Sequence, residues 1–229
     1  YAPKLPADVQ YSERGDIAAV ILDDNAGAIN ADLFIDCSGP MRWLMSRMAG
    51  ATLDSWSENL PCDRVLIAAP GEPVLALEDR MTLTPHGWLN EIGGRDGVQR
   101  IFAFPASLGS ADAEAHLIRA GASAAIAAAI HPGALVRPFV GNVVALGDAA
   151  ASFEPIGGTN LDLAHRQLSL LLELLPGRNV EPREREEYNR RAELMASSLR
   201  DWLTSHYAAL GMPGTPFTAR VSQLTYSPS

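Results

Sequence analysis

The segment from Gly147 to Leu163 constrains the fold more than any other part of the chain, because it predicts a strand, a turn and a helix in succession. An apolar run over 142–146 is typical of a buried strand, and Asp148 follows it at once. The pair Gly157-Gly158 precedes a leucine-rich stretch that we expect to form a buried helix. A helix start leaves N–H groups unpaired and carries partial positive charge, which suits an electron-rich ligand such as a phosphate. An ordinary β–α connection is the alternative that this segment leaves open.

Composition limits the classes of partner. The 229 residues carry a formal net charge of -9, with 47% hydrophobic and 20% charged residues. These values indicate a globular protein and argue against nucleic acid or an anionic membrane as the partner. Cys37 and Cys62 have no CxxC spacing, so we predict neither a disulfide framework nor a metal site. The chain shows no signal peptide and no apolar run of about 20 residues, so a cytoplasmic protein is expected.

Hydrophobic patterns of both periods occur along the chain, which predicts a mixed α/β fold. Short alternating runs with turn residues between them predict a β-meander near the start and a second sheet in the middle of the chain. Spacings of three and four predict helices over 110–120 and 181–210. The alanine-rich stretch 122–130 is also expected to be helical, and 211–229 is expected to be a loosely ordered tail.

Several separated motifs resemble one enzyme family. Residues 31–39 contain Asp-Cys-Ser-Gly, 60–64 read Leu-Pro-Cys-Asp-Arg, and 147–160 contain Gly-Asp-Ala followed by Pro-Ile-Gly-Gly. With Tyr188-Asn189-Arg190 and the stretch 203–207, these motifs resemble the flavin-dependent tryptophan halogenases, in the same order along the chain. The resemblance implies the C-terminal part of an FAD-binding, hydroxylase-like fold with a mixed sheet and long C-terminal helices.

The resemblance also implies a domain organisation and a cofactor site. Residues 1–50 and 134–177 would be the remainder of the FAD-binding domain, 51–133 a substrate-covering sheet and helix, and 178–229 a C-terminal helix and tail. Asp148 would accept a hydrogen bond from a flavin hydroxyl, and 157–159 would present N–H groups to the isoalloxazine edge. The residues implied in cofactor binding are Cys37, Ser38, Gly39, Gly147, Asp148, Pro155, Gly157, Gly158, Thr159 and Asn160.

The chain departs from the family at several functional positions. The Gly-x-Gly-x-x-Gly fingerprint that holds the FAD pyrophosphate is absent, so FAD is expected in a longer full-length protein and weakly or not at all in this chain alone. Gly157 stands where the halogenases have the second glutamate of Glu-Pro-Leu-Glu-Ser-Thr-Gly, and glycine cannot transfer a proton. Thr159-Asn160 keeps only part of the halide-binding Thr-Gly, and Lys4 lies outside any matching motif.

The implied function is that of an FAD-dependent oxidoreductase acting with reduced flavin and O₂ on a small aromatic substrate, with halogenation itself in doubt. A flavin reductase is the protein partner that the resemblance suggests. The alternative is a catalytically silent domain that keeps the fold and binds a small ligand or a partner. No catalytic residue is assigned. Glu154 remains open between a functional carboxylate and a solvated turn residue or helix-start charge. Trp88 remains open between substrate stacking and core packing.

Overall fold

The computed structural model describes residues 4–23, 27–72, 78–122, 125–177, 180–208 and 214–224. It confirms the mixed α/β fold class, with sheets of short strands and long helices toward the C-terminus. The strands are β1 (Pro6–Tyr11), β2 (Ile17–Leu22), β3 (Ala28–Asn30), β4 (Phe34–Asp36), β5 (Leu53–Ser55), β6 (Arg64–Ala68), β7 (Arg80–Thr84), β8 (Gly87–Gly94), β9 (Gly97–Phe104), β10 (Ala125–Ala129), β11 (Gly133–Leu135), β12 (Phe139–Val140), β13 (Val143–Ala145) and β14 (Ala151–Ser152). The helices are α1 (Ser110–Arg119), α2 (Thr159–Glu173), α3 (Pro182–Ala208) and α4 (Pro216–Val221).

The chain divides into two compact units, and each is built from three separate stretches of sequence. The first unit contains 1–54, 134–151 and 161–196, and the second contains 55–133, 152–160 and 197–229. Strands β5, β11 and β14 each include the point where the chain passes from one unit to the other.

Two small sheets form the first unit. Strands β1, β2 and β3 make the expected antiparallel meander, although the Asp24-Asn25-Ala26 part of its second turn lies outside the described residues. In the other sheet β13 lies between β12, which is antiparallel to it, and β4, which is parallel to it. Val143 and Ala145 pack against the core of the meander, whereas Val144 packs with residues of α2 and α3. Strand β13 is therefore apolar throughout because both of its faces are buried.

Helix α2 is amphipathic in its contacts, and the prediction that it is buried on all sides is wrong. Leu163, Leu170 and Leu171 are buried, but Leu161 and Leu172 are more than 60% exposed at 63% and 65%. Leucines on nearly every side of a helix therefore do not show which side faces the core, because an exposed leucine costs little stability in an otherwise packed helix.

An antiparallel five-stranded sheet forms most of the second unit, in the order β10-β6-β9-β8-β7. Helix α1 covers one face, where its Ala113 and Leu117 pack against Leu66, Phe102 and Phe104. The expected helix over 122–130 is wrong, because Ala125–Ala129 form the edge strand β10. Pairing with β6 satisfies the backbone of this stretch and overrides the helix propensity of alanine.

The C-terminal helices follow the predicted periodicity with one addition. Helix α3 extends over Pro182–Ala208, within the predicted 181–210. The predicted tail contains the short helix α4, whose first turn is capped by reciprocal hydrogen bonds between Thr215 and Thr218. This capping box satisfies N–H groups that a loosely ordered tail would leave to water. In the described part of the chain, no helix is long and apolar enough to cross a membrane.

Candidate functional site

Two turns follow the parallel strands β4 and β13 in the first unit. The chain leaves β4 through Cys37 and enters a 3-10 turn at Gly39–Met41, and it leaves β13 into the 3-10 turn Gly147–Ala149. These two turns contact each other, because the carboxyl ends of parallel strands meet at one edge of the sheet. The structure thus brings the predicted residues Cys37, Ser38 and Gly39 next to Gly147 and Asp148.

The first turn is held by the buried carboxylate of Asp36. Its Oδ1 accepts hydrogen bonds from the N–H and the hydroxyl of Ser38 at 2.9 and 2.6 Å. Its Oδ2 accepts from the N–H groups of Leu44 and Met45, both at 2.9 Å. The Ser38 hydroxyl oxygen also accepts from the N–H of Trp43 at 2.6 Å. Since the Ser38 side chain is engaged within the turn, any contact that Ser38 makes with a ligand falls to its backbone.

The second turn depends on Gly147, which has a φ of 60°. Its N–H donates to Oε1 of the buried Gln167 at 2.8 Å. A Cβ at this position would lie 3.3 Å from the Cβ of Ala164, so α2 approaches the turn closely. Glycine is therefore required here both by the left-handed backbone and by the contact with the helix.

Arg42 and Asp148 lie at the paired turns, and each has charged atoms that no group among the described residues satisfies. Arg42 has a φ of 49° and is the one non-glycine residue with a positive φ in the described part of the chain. Its Nη1 donates to the carbonyl of Pro40 at 2.9 Å, but its Nε and Nη2 are buried without a partner, as is Oδ1 of Asp148. Burial raises the pKa of Asp148, and the charge of Arg42 opposes that rise. The charge of each side chain shifts the pKa of the other, but the two side chains do not form an ion pair with each other.

Sequence reasoning missed Arg42. The only signal was a basic side chain directly after the Asp-Cys-Ser-Gly turn, and no spacing rule connects it with Asp148, 106 residues later by their positions in the sequence. A strained backbone at a guanidinium with two buried, unpaired nitrogens is typical of a position that serves a ligand, because strain of this kind is rarely kept for packing alone.

The other predicted residues lie in the second unit, in the turn between β14 and α2. The carbonyl of Pro155 accepts a hydrogen bond from Nδ2 of Asn90, and Oδ1 of Asn160 accepts from the N–H of Phe153 at 3.3 Å. The carbonyl of Ile156 accepts from both the N–H and the hydroxyl of Thr159, at 3.3 and 3.0 Å. The side chains of Thr159 and Asn160 are thus used within the turn.

Gly157 and Gly158 have left-handed backbones, with φ values of 63° and 67°. A Cβ on Gly157 would lie 3.5 Å from both Sδ of Met81 and Cη2 of Trp202, whereas a Cβ on Gly158 would meet nothing within 4 Å. Their N–H groups have no hydrogen-bond acceptor in the part of the chain that the structure describes. The helix start therefore offers two backbone donors beside half-exposed Met81 and Trp202.

Glu154 is fully buried in the second unit, so the reading of it as a solvated turn residue is wrong. Its Oε2 accepts a hydrogen bond from the hydroxyl of Tyr207 at 2.5 Å, and its Oε1 accepts from the N–H of Cys62 at 2.6 Å. The Cys62 thiol lies 3.5 Å from the same Tyr207 hydroxyl. These three side chains form a closed cluster that we call the Glu154 cluster.

Burial raises the pKa of Glu154 to about 7, although the hydrogen bonds from Tyr207 and Cys62 lower it in part. Burial likewise raises the pKa of the Tyr207 hydroxyl and of the Cys62 thiol, and the charge of Glu154 adds to both shifts. The carboxyl group thus changes its charge near neutral pH, while the phenol and the thiol keep their protons. Sequence reasoning missed both partners.

Trp88 is 5% exposed, and its ring meets the ring of Tyr207 edge-on at a centroid distance of 5.5 Å. Core packing accounts for this side chain, since a ring buried to this extent has no free face for a substrate. Within the described ranges, no group of three or more His, Cys, Asp or Glu side chains could hold a metal ion.

Comparison with known proteins decides the family. The family model described as tryptophan halogenase matches residues 4–229. The chain belongs to this family. As the resemblance predicted, its curated relatives include the tryptophan halogenases 7-chloro-L-tryptophan 6-halogenase KtzR from Kutzneria sp. (strain 744), 28% identical over 87% of this chain, and tryptophan 6-halogenase SttH from Streptomyces toxytricini, 27% identical over 87%.

Solved structures of flavin-dependent halogenases share the fold. Xcc4156 from Xanthomonas campestris is 28% identical, with a TM-score of 0.88 over 97% of this chain. BrvH from Brevundimonas sp. BAL3 has a TM-score of 0.91 over 98% of this chain at 24% identity. The chain spans 40% of the length of each of the two curated relatives. It spans 46% of the solved Xcc4156 chain and 47% of the solved BrvH chain.

Proposed function

We propose that this member of the tryptophan halogenase family binds FAD at the paired turns of its first unit and belongs to an FAD-dependent oxidoreductase. The observation that carries the proposal is the set of buried, unpaired atoms beside Cys37–Gly39, namely Nε and Nη2 of Arg42 and Oδ1 of Asp148. A buried polar atom without a partner costs about 1–3 kcal/mol, so a ligand that pairs these atoms stabilises the site.

The donors and the acceptor fit the polar parts of FAD. The Arg42 guanidinium matches a pyrophosphate, for which arginine offers parallel N–H donors. Asp148 matches a ribityl hydroxyl, which can donate to the free Oδ1. In the second unit, the unpaired N–H groups of Gly157 and Gly158 fit the acceptor edge of an isoalloxazine ring. When bound in its reduced form, the flavin would supply the electrons that reduce O₂.

We propose oxygenation of a small aromatic substrate rather than halogenation, with reduced flavin delivered by a separate reductase. Gly157 occupies the position of the halogenase glutamate and carries no group that can hold a proton. Its left-handed backbone also disfavours any side chain there, since a non-glycine residue in that region costs about 1–2 kcal/mol. The same glycine favours a second candidate function, a silent domain that binds flavin or another small ligand without turnover.

Flavin titration of the full chain tests the cofactor assignment. We expect Arg42→Met and Asp148→Asn each to weaken FAD binding by about tenfold or more, since each removes a charge-assisted hydrogen bond worth about 1.5–3 kcal/mol. Arg190→Met and Asp8→Asn remove exposed charges of the first unit and should leave FAD affinity unchanged. Wild-type affinity for FAD in both site variants overturns the assignment, whereas weak binding by the wild-type chain is expected because the pyrophosphate fingerprint is absent.

Product analysis tests the reaction class. With reduced flavin, ¹⁸O₂, bromide and a panel of indoles and phenols, we expect ¹⁸O in the product and no brominated product. A brominated product contradicts the proposed loss of halogenation. Flavin binding without any product over the whole panel favours the silent domain instead.

A further inference from the structure

A cavity of about 580 Å³ opens in the first unit, away from the paired turns. Asp32 and Leu33, which precede β4, line it together with Gly141 and Asn142, which precede β13. Because β4 and β13 are parallel, their amino ends meet at this edge and their carboxyl ends meet at the turns. The cavity is therefore separate from the proposed flavin site, and its volume lies in the range of small-molecule pockets.

The wall of this cavity is fixed by the buried side chain of Asn142. Its Oδ1 accepts a hydrogen bond from the N–H of Ile17 at 3.0 Å, and its Nδ2 donates to the carbonyl of Ile17 at 2.8 Å. Nδ2 also reaches the carbonyl of Asp32 at 3.4 Å. One amide thus joins the starts of β2 and β13 to Asp32, two residues before β4, and fixes this wall of the cavity. The connections between β1 and β2 and between α2 and α3 contribute further lining residues, including Asp16 and Val180.

Two opposite charges reach Gly141 without pairing with each other. Nη1 of Arg185 donates to the Gly141 carbonyl at 3.2 Å. On the same glycine, whose φ is 57°, a Cβ would lie 2.6 Å from Oδ1 of Asp16. Both side chains are half-buried, and the described residues include no ion pair or hydrogen bond that engages the Asp16 carboxylate. Arg14 and Asp32 add one further charge of each sign at the exposed rim.

This charge distribution selects a class of ligand. A dianion such as phosphate would meet the carboxylates of Asp16 and Asp32, and a simple cation would meet the guanidinium groups of Arg14 and Arg185. A neutral ligand would desolvate the half-buried Asp16 and Arg185 without compensating either charge. A zwitterion compensates one charge of each sign, and a carboxylate can receive two parallel N–H bonds from arginine.

We propose that this cavity binds a free α-amino acid, with the ammonium group at Asp16 and the carboxylate at Arg185. The half-buried side chains of Leu33 and Val180 line the same cavity and suit an aliphatic side chain. The site does not depend on the proposed flavin chemistry, so it is tested by binding alone.

Calorimetric titration of the full chain with L-leucine tests the proposal. We expect saturable binding in the millimolar range or tighter, and about tenfold weaker binding of isoamylamine, which lacks the carboxylate, and of 4-methylpentanoate, which lacks the ammonium group. Asp16→Asn should weaken L-leucine about tenfold and remove the preference for L-leucine over 4-methylpentanoate. Arg185→Gln should likewise weaken the binding of L-leucine about tenfold and remove the preference for L-leucine over isoamylamine.

Two neighbouring substitutions serve as matched controls. Glu13→Gln and Arg183→Gln remove exposed charges beside Asp16 and Arg185 that do not line the cavity, and both should bind L-leucine like the wild type. Arg185→Lys keeps a donor for the Gly141 carbonyl and so preserves the fold, but it should still weaken the binding of L-leucine. Three results overturn the proposal: no saturable binding of L-leucine to the wild-type chain, wild-type affinity for L-leucine in both Asp16→Asn and Arg185→Lys, or binding of the two truncated ligands as tight as that of L-leucine.

Discussion

Glu154→Gln is predicted to remove a pH dependence of stability that one buried carboxyl group confers on the second unit. Burial raises the pKa of Glu154 from 4.5 to about 7. Each pKa unit corresponds to about 1.4 kcal/mol, so the shift represents about 3 kcal/mol. Because the folded protein binds this proton more tightly than the unfolded chain, the stabilisation is complete below pH 4.5 and is lost as the pH rises through 7. Glutamine is uncharged at every pH and keeps an oxygen that can accept from the N–H of Cys62.

Urea denaturation between pH 4.5 and 8 measures the effect. Tryptophan fluorescence reports on the second unit through Trp56, Trp88 and Trp202, with a contribution from Trp43 of the first unit, and amide exchange over 153–160 reports on the turn itself. We expect the free energy of unfolding of Glu154→Gln, relative to wild type, to rise by about 3 kcal/mol across this range. Other titrating groups cancel in this difference. Glu58→Gln changes an exposed carboxylate of the same unit and should follow the wild-type curve.

A second variant tests the cause. Tyr207→Phe removes the hydroxyl that donates to Glu154, so the pKa of Glu154 should rise further and the loss of stability should move to higher pH. Parallel pH curves for wild type and Glu154→Gln would refute the reasoning, because they would mean that Glu154 ionises in the folded protein as easily as in the unfolded chain.

Three further substitutions follow from the packing. Arg42→Gly should raise the free energy of unfolding by up to about 1 kcal/mol in urea denaturation, because it releases a left-handed non-glycine residue, while FAD titration should show weaker binding. Gly87→Ala should lower the free energy of unfolding by more than about 2 kcal/mol, since its Cβ would overlap the carbonyl oxygen of Ala103. Gly158→Ala has open space at its Cβ and should lower the free energy of unfolding by about 1 kcal/mol, because of its left-handed backbone alone. Thermal melts of the two variants measure the difference. Leu117→Ala should lower the free energy of unfolding by about 2–5 kcal/mol, because Leu117 is buried against Phe102. Ile118→Ala should lower it by less than about 0.5 kcal/mol, because Ile118 is 65% exposed on the same helix. Equal losses of stability in chemical denaturation would contradict the assigned core face of α1.

The parts of the fold that could be predicted depend on local patterns. The alternation of strand-like and helix-like stretches gave the mixed α/β class, and helix α3 was recognisable from apolar residues three and four apart. The turn after β4 is local in the same sense, because Asp36 accepts hydrogen bonds from N–H groups within nine residues of itself. Local contacts of this kind are encoded by neighbouring residues, so a single sequence contains the information.

The parts that could not be predicted depend on distant partners. Ala125–Ala129 became a strand because β6, about 60 residues earlier, offers an edge with free backbone groups. Glu154 is buried because Cys62 and Tyr207 satisfy its oxygens from 92 residues before and 53 residues after it. Arg42 meets Asp148 through the adjacency of two strands. No periodicity or spacing expresses such pairings.

The division of each unit into three stretches has a consequence for biosynthesis. When the ribosome has added residue 196, every stretch of the first unit exists, but the second unit still lacks everything from Ser197 onward. Tyr207, the hydrogen-bond donor to Glu154, is synthesised 53 residues after it, which takes several seconds at about 5–20 residues per second. During that interval Glu154 and Trp88 lack their contacts with Tyr207, and a nascent chain released early would leave both side chains exposed. Completion of the Glu154 cluster therefore depends on the stretch from Ser197 onward, which is synthesised after the other two stretches of the second unit.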